Sequence, residues 1–342
     1  GSVVVGAVKG TVDGVGGFFG NLFQGKVGDA FTSLWKGFDK GFLQAPSKLS
    51  NAVFNAADYL VDAAANLAEP IGLDGIVKSI GSRAVDIGRN ITNTGLAIIR
   101  DVITTPVEAA GGFLQDHYEG FKALFKGDFG EAFKHFGMAY VNATGRIVGG
   151  AVDVTLRAVA CAASAIGTAL FLEPPSRPLS ADEKAWFKEV YGDSVDLDLV
   201  RVKRGGLVTV GASKAVGNTI YLADKYFDSN GNLTSAGKRT LAHEMGHIWQ
   251  NQNGGGDYIH KALFAMAKAA IETGSRNDAY DWRAGMLEGK SFQELNPEQQ
   301  ATVIEDIAVA MRNGNFDSTL FNAQELAYLK AALAEVRAGN VG

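Results

Sequence analysis

Two histidines and a glutamate lie close enough in this sequence to do chemistry together. His243, Glu244 and His247 form an H-E-x-x-H pentapeptide within a stretch whose pattern predicts a helix. Histidines four residues apart project from one helix face, so that their ring nitrogens can share one Zn²⁺. The glutamate then lies beside the metal, where it can take a proton from a water molecule in the open ligand position. The pentapeptide therefore predicts a zinc hydrolase, and specifically a peptidase.

A third metal ligand must come from further along the chain. The G-x-x-H extension that follows the motif in metzincins is absent, which excludes that subclass. A helix predicted to begin near Asn296 carries Glu298 and Glu305, which are two turns apart and share a face; His260 is a further candidate. The E-x-x-A context of Glu298 favours it as the ligand, because the small Ala301 lets two helices approach each other.

Other polar residues are candidates for supporting roles. Gln250 and Asp306 are placed to orient the ligating groups by hydrogen bonds. Peptide hydrolysis also needs a donor for the developing oxyanion, and Tyr280 and Tyr258 lie between the two site helices in sequence. We assign this catalytic role to Tyr280, with Tyr258 as the alternative.

A proline-rich break at residues 173–178 divides the chain into two predicted domains. Residues 1–175 form the first, an all-helical module rich in glycine and alanine. It contains a weak internal repeat, residues 19–31 against 121–133, and each copy predicts two helices joined at a glycine. Its histidines, His117 and His135, are not expected to take part in the chemistry.

Residues 176–342 form the second predicted domain, in which a small sheet precedes the helix that carries the motif. Ser180 and Glu183 form a capping box at the start of a short helix. The predicted strands are 197–202, 207–210 and 218–222, and the later predicted helices are 259–272 and those beginning near 296 and 322. The fold class is therefore α+β and mostly helical, with a small gluzincin-type zincin domain after the helical module.

Composition sets bounds on function. The 342 residues suffice for two domains, and a net charge of −5 without a basic stripe gives no support to nucleic-acid binding. Cys161 is the single cysteine, so no intrachain disulfide can form. The longest uncharged apolar run, Ala158 to Leu172, is shorter than the roughly 20 residues that span a bilayer, and we expect a soluble protein.

Four segments in one order resemble a known family. They are residues 177–183, 218–222, the H-E-x-x-H-x-x-Q stretch 243–250, and 298–301. Together they resemble a bacterial family of zinc metallopeptidase domains that is common in secreted toxins and in cargo of contractile injection systems. The resemblance covers roughly residues 176–312. It implies a zincin fold, Glu298 as the third zinc ligand, and a protein that is secreted or injected from a bacterium, with a cytoplasmic location as the alternative.

The helical half leaves the function open. Each glycine within a helix costs about 1 kcal/mol relative to alanine, and close helix packing is one compensation. Another is rearrangement onto a membrane or a secretion apparatus, with an apolar face from the phenylalanines at 18, 19, 23, 31, 38 and 42. A third is a cover over the metal cleft.

Our first hypothesis is a zinc endopeptidase acting on peptide or protein substrates. The alternative is a membrane-interacting or delivered binding protein with a vestigial, non-catalytic metal site.

Overall fold

The chain forms two compact units. The computed structural model describes residues 45–126, 128–169, 173–205, 207–209, 213–254, 258–273, 275–314 and 320–341. Of these, one unit comprises residues 45–54 and Thr92–Leu156, and the other comprises Asn55–Ile91 and residues 157–341. The predicted boundary after residue 175 stays a prediction.

Three long helices make up the first part of the described chain: α1 (Ala45–Ala68), α2 (Asp74–Phe125) and α3 (Phe129–Ala169). A short 3₁₀ turn with Pro70 follows α1 and ends at Gly72, whose φ of 72° is a conformation that favours glycine. Between α2 and α3, the carboxylate of Asp128 accepts a hydrogen bond from the Glu131 amide at 3.0 Å and caps the new helix. The second copy of the predicted repeat therefore contains the end of one helix and the start of the next, as predicted. The first copy and the six phenylalanines at 18–42 lie outside the described residues.

The remaining described chain combines short helices with a four-stranded sheet, so the prediction of a mostly helical α+β protein is confirmed. Asparagine or serine caps begin three of the helices, each with a reciprocal bond from the residue three positions on. The helices of this part of the described chain, capped or not, are α4 (Ala181–Tyr191), α5 (Ser235–Gly254), α6 (Tyr258–Thr273), α7 (Trp282–Leu287), α8 (Pro297–Arg312) and α9 (Ala323–Ala338).

The sheet has the order β1-β2-β4-β3, from strands β1 (Arg177–Pro178), β2 (Arg201–Arg204), β3 (Lys214–Val216) and β4 (Thr219–Leu222). β2 and β4 are parallel, and the two outer pairs are antiparallel. Val202 and Ile220 are register partners whose side chains join the hydrophobic core together with Met245 and Trp249 of α5. One face of the sheet therefore supports the helix that carries the motif.

The opposite face of the sheet is polar and buried. Lys203 pairs with Asp86 of α2 at 3.2 Å, donates to Ser164 of α3 at 2.8 Å and also contacts Thr168. Tyr221 of β4, the register partner of Lys203, is likewise buried. Within this unit, parts of α2 and α3 thus cover the sheet through hydrogen bonds and an ion pair.

Two predicted strands differ from the structure. The segment 197–202 becomes a strand only at Arg201, because residues 197–200 form tight turns in which the Leu199 amide bonds the Asp196 carbonyl at 3.2 Å. Residues 207–209, predicted as part of a strand, form a 3₁₀ helix. The sequence did not predict β1 or β3, since strands of two and three residues are too short for an alternating pattern to show.

Candidate metal centre

Two histidines of α5 and a glutamate of α8 meet at one point. Ligand atoms of His243, His247 and Glu298 all lie within 4.8 Å of one another. The Glu298 Oε2 atom is 3.2 Å from His243 Nε2 and 3.4 Å from His247 Nε2. Tetrahedral zinc with bonds of roughly 2.0–2.1 Å separates its ligand atoms by about 3.3 Å. The structure thus brings the three predicted ligands together in a cluster that can hold a metal ion.

The close approach of α5 and α8 makes this geometry possible. A Cβ atom added at Gly246 would lie 2.8 Å from Ala301 Cα and 3.0 Å from its Cβ, so the two helix backbones nearly touch between the ligands. α8 begins with Asn296 as N-cap and Pro297 in its first turn, which places Glu298 at the end of the helix facing α5. Small residues at one crossing point therefore set the distance between the histidines and the glutamate.

A chain of amide hydrogen bonds fixes the ring of His247. Its Nδ1 atom lies 2.8 Å from Gln250 Oε1, and the Gln250 amide donates to the Pro297 carbonyl at 2.9 Å and to Gln300 Oε1 at 3.0 Å. An amide oxygen can only accept, so Nδ1 carries the proton and Nε2 is left to bind a cation. Gln250 thus has the orienting position predicted for it.

Glu305 orients the other histidine. Its Oε2 atom lies 3.2 Å from His243 Nδ1, and its carboxylate also pairs with Arg239. Glu305 therefore contacts the ring nitrogen opposite the one that faces Glu298, and of the two glutamates it is Glu298 that belongs to the cluster that could hold a metal ion. Asp306, predicted to orient a ligand, instead accepts hydrogen bonds from Trp282 Nε1 and Arg239, both at 3.0 Å.

Glu244 lies beside the cluster with one oxygen unused. Its side chain is buried, the Ala215 amide donates to its carboxylate, and its Oε2 atom has no hydrogen-bond partner among the described residues. Burial raises the pKa of this carboxyl group above its ordinary value. An unpaired buried oxygen next to three ligand groups fits a water molecule held by a metal.

The charges of the cluster are coupled. Burial disfavours the charged form of His243, but hydrogen bonds to Glu298 and Glu305 outweigh it and raise its pKa to about 10. Burial likewise opposes ionisation of Glu298, yet the positive charge of His247 and bonds to both histidines hold the Glu298 pKa well below its usual range. A divalent cation would take the place of the shared protons, so its binding releases protons.

Two tyrosines border the cluster. The Tyr280 ring centroid lies 5.8 Å from that of His243, and its hydroxyl contacts Met266 Sδ at 3.4 Å. Its assignment as the oxyanion donor stays a prediction. The Tyr258 ring stacks on His247 with 5.5 Å between centroids, and its hydroxyl donates to the Ala215 carbonyl at 3.0 Å. The side chain of the third candidate ligand, His260, lies outside the described part of the chain.

Sequence reasoning missed Ala215, a residue with no reactive side chain. Its backbone meets both Glu244 and Tyr258 from β3. Only a strand placed before the motif could have indicated it, and β3 is too short to give that signal.

The chain matches no protein-family model, no curated protein and no solved structure.

Proposed function

We propose that the protein is a zinc-dependent metalloendopeptidase whose centre is His243, His247 and Glu298. The observation that carries this proposal is the cluster of three ligand atoms within 4.8 Å, next to a buried Glu244 with an unpaired oxygen. Two imidazoles and one carboxylate with an open fourth position are the donor set of catalytic zinc sites. Mg²⁺ and Ca²⁺ prefer oxygen ligands, and the two nitrogens argue against them.

Zinc held there would supply a Lewis acid that activates a water molecule and polarises a peptide carbonyl. The protein's own groups do the rest. Glu244 accepts the proton of the attacking water on its unpaired oxygen and returns it to the departing amine, and its raised pKa suits both transfers. Gln250 and Glu305 hold the two imidazoles in the required orientation through Nδ1.

The edge strand β3 supports a peptide as the substrate class. It is the last strand of the sheet among the described residues, and its Ala215 lies against Glu244. An extended peptide can add to such an edge through main-chain hydrogen bonds, which do not depend on the substrate's side chains. A peptide held along its length in this way would present an internal peptide bond to Glu244.

Two substitutions test the mechanism. Glu244→Gln keeps the shape of the side chain but removes the proton acceptor, so we expect full zinc binding and a loss of at least about 100-fold in hydrolysis of a quenched peptide library. His247→Ala should lose both zinc and hydrolysis. Metal analysis of the purified full chain and of both variants measures the first quantity. Full turnover by Glu244→Gln would overturn the mechanism, and absence of stoichiometric zinc in the wild type would overturn the function.

We propose membrane association as a second candidate function, on the strength of exposed apolar side chains in the helical half. Large examples are Leu49, Val53, Leu60 and Leu67 on α1 and Ile76, Ile80 and Ile91 on α2. Among the described residues, none of the helices carries a stretch long and apolar enough to cross a bilayer. The membrane contact we propose is one in which the apolar side chains of such helices insert into the membrane interface. Flotation of the full chain with anionic liposomes tests this, and recovery in the lipid-free fraction would exclude it.

A further inference from the structure

On the outer edge of β3, the backbone groups of Ala215 are already hydrogen-bonded within the chain. In an antiparallel pair, the N–H and C=O groups of one residue point to the same side, and successive residues alternate. The Ala215 amide bonds Glu244 and its carbonyl bonds the Tyr258 hydroxyl, so both groups face away from β4. These are the donor and acceptor with which an added peptide strand would have to pair.

Tyr258 closes the site from a second direction. Its buried ring lies nearly parallel to that of His247, at an interplanar angle of 20°, so it covers the face of one ligand. One side chain therefore takes the acceptor on the edge strand and covers one of the groups that could hold a metal ion.

The helix that Tyr258 begins is held by little apolar burial. Of the α6 side chains that the structure describes, Tyr258 and Ala262 are buried. Phe264 is 71% exposed and Ile271 is 85% exposed. Helices with few buried apolar contacts open at a lower free-energy cost than the rest of a domain. The hydrogen bond and the ring stacking of Tyr258 hold the first turn of α6 against β3 and His247.

We propose that Tyr258 is an autoinhibitory contact, and that α6 is a cover which must lift its first turn from Ala215 and His247 before a peptide can pair with β3. The inference rests on the proposed peptidase function, because a cover over β3 regulates the protein only if a peptide binds there. The closed contact itself involves only residues of this chain. Its test therefore does not require activity.

The test measures opening of the first turn of α6 in the metal-free full chain, by the rate of deuterium labelling of its backbone amides at pH 7, read by mass spectrometry. Tyr258→Phe keeps the ring but loses the bond to Ala215. It should speed labelling of this turn about fivefold, the change that loss of one neutral hydrogen bond produces. Tyr258→Ala should speed it further. The amides of α4, which lie outside the cluster, serve as internal reference.

Tyr328→Phe is the matched control, because it removes a buried hydroxyl of α9 that has no hydrogen-bond partner among the described residues. It should leave the labelling rate unchanged. Equal rates for wild type and both Tyr258 variants, with unchanged thermal melting, would overturn the proposal. With zinc bound, Tyr258→Phe should also raise kcat/KM for a peptide library about fivefold. Faster labelling without hydrolysis by any variant supports the cover and refutes the peptidase.

Discussion

At the scale of single residues, the candidate metal centre depends on a glycine that contributes no ligand atom. Gly246 lies between Glu244 and His247 on α5. A Cβ atom at this position would lie closer to Ala301 of α8 than ordinary van der Waals contact allows, so the glycine lets the two helices approach each other. A methyl group there would have to push two backbones apart, because Ala301 Cα cannot move as a side-chain tip can. The distance between the histidines and Glu298 would grow with the helix separation.

We therefore expect Gly246→Ala to destabilise the protein by about 1–3 kcal/mol and to weaken zinc binding at the same time. Thermal melting gives the first quantity and competition with a chelator gives the second. Gly75→Ala is the control, since a Cβ atom at Gly75 in α2 would meet nothing within 4 Å. Zinc affinity equal to that of the wild type in Gly246→Ala would show that the crossing point does not set the ligand geometry.

The sequence predicted the reactive residues better than their partners. His243, Glu244 and His247 were recognisable because a helix fixes their relative positions within two turns. Glu298 is 51 positions beyond His247, and only tertiary packing could separate it from Glu305. The contacts of Ala215 are made by backbone atoms, which every residue type has, so the identity of this residue gives no signal of them.

At the scale of elements, a buried carboxyl group that follows α3 in sequence has no hydrogen-bond partner among the described residues. Both oxygens of Glu173 lack hydrogen bonds in the described structure. Burial raises the Glu173 pKa to about 7, with Lys203 lowering it and Asp86 raising it. A raised pKa means that the folded state binds this proton more tightly than the unfolded state. The resulting stabilisation is full below the ordinary pKa of 4.5 and is lost as the pH rises through about 7.

Glu173→Gln should therefore stabilise the protein in alkaline but not in acidic solution. We expect its Tm to exceed that of the wild type by about 2–6 °C at pH 8.5, because an unpaired buried charge has been removed. At pH 5 the difference should be small. Glu189→Gln, an exposed glutamate of α4, provides the comparison and should have little effect at either pH. A Tm difference for Glu173→Gln that is independent of pH would contradict this origin.

Elements with local signals were predicted, and elements without them were not. The helices that begin after Ser180, Asn296 and Asn322 have the capping bonds that their sequences indicate. Strand β4 was also found where alternation predicts it. Residues 207–209 contain β-branched residues typical of a strand but form a 3₁₀ helix, so tertiary context overrides the local preference.

At the scale of the whole molecule, the polar face of the sheet connects segments that are far apart in sequence. Lys203 of β2 is buried with Asp86 of α2, 117 positions away, in the same compact unit. Removing one partner of a buried ion pair leaves the other charge uncompensated. The sequence could not predict this pairing, because Asp86 lies within the half that was predicted to be a separate helical domain.

We expect Lys203→Met to destabilise the full chain by about 3–5 kcal/mol, since Asp86 would remain buried without its cation. Lys184→Met removes the more exposed pair with Asp198 and should cost less than about 1 kcal/mol. Chemical denaturation of the two variants compares them directly. Equal effects would mean that the segments around Asp86 and Lys203 are not packed together in solution.

The bonds of Ala215 have a consequence for the behaviour of the protein at high concentration. An open strand edge is a template on which other chains can pair and aggregate, and folded proteins keep such edges short, charged or covered. β3 has three residues, and its central amide and carbonyl are taken by Glu244 and Tyr258. The groups that would admit a substrate are thus also those that keep one molecule from adhering to the next. Variants that free this edge should lose solubility as they gain access, so that reactivity and colloidal stability are opposed at a single residue.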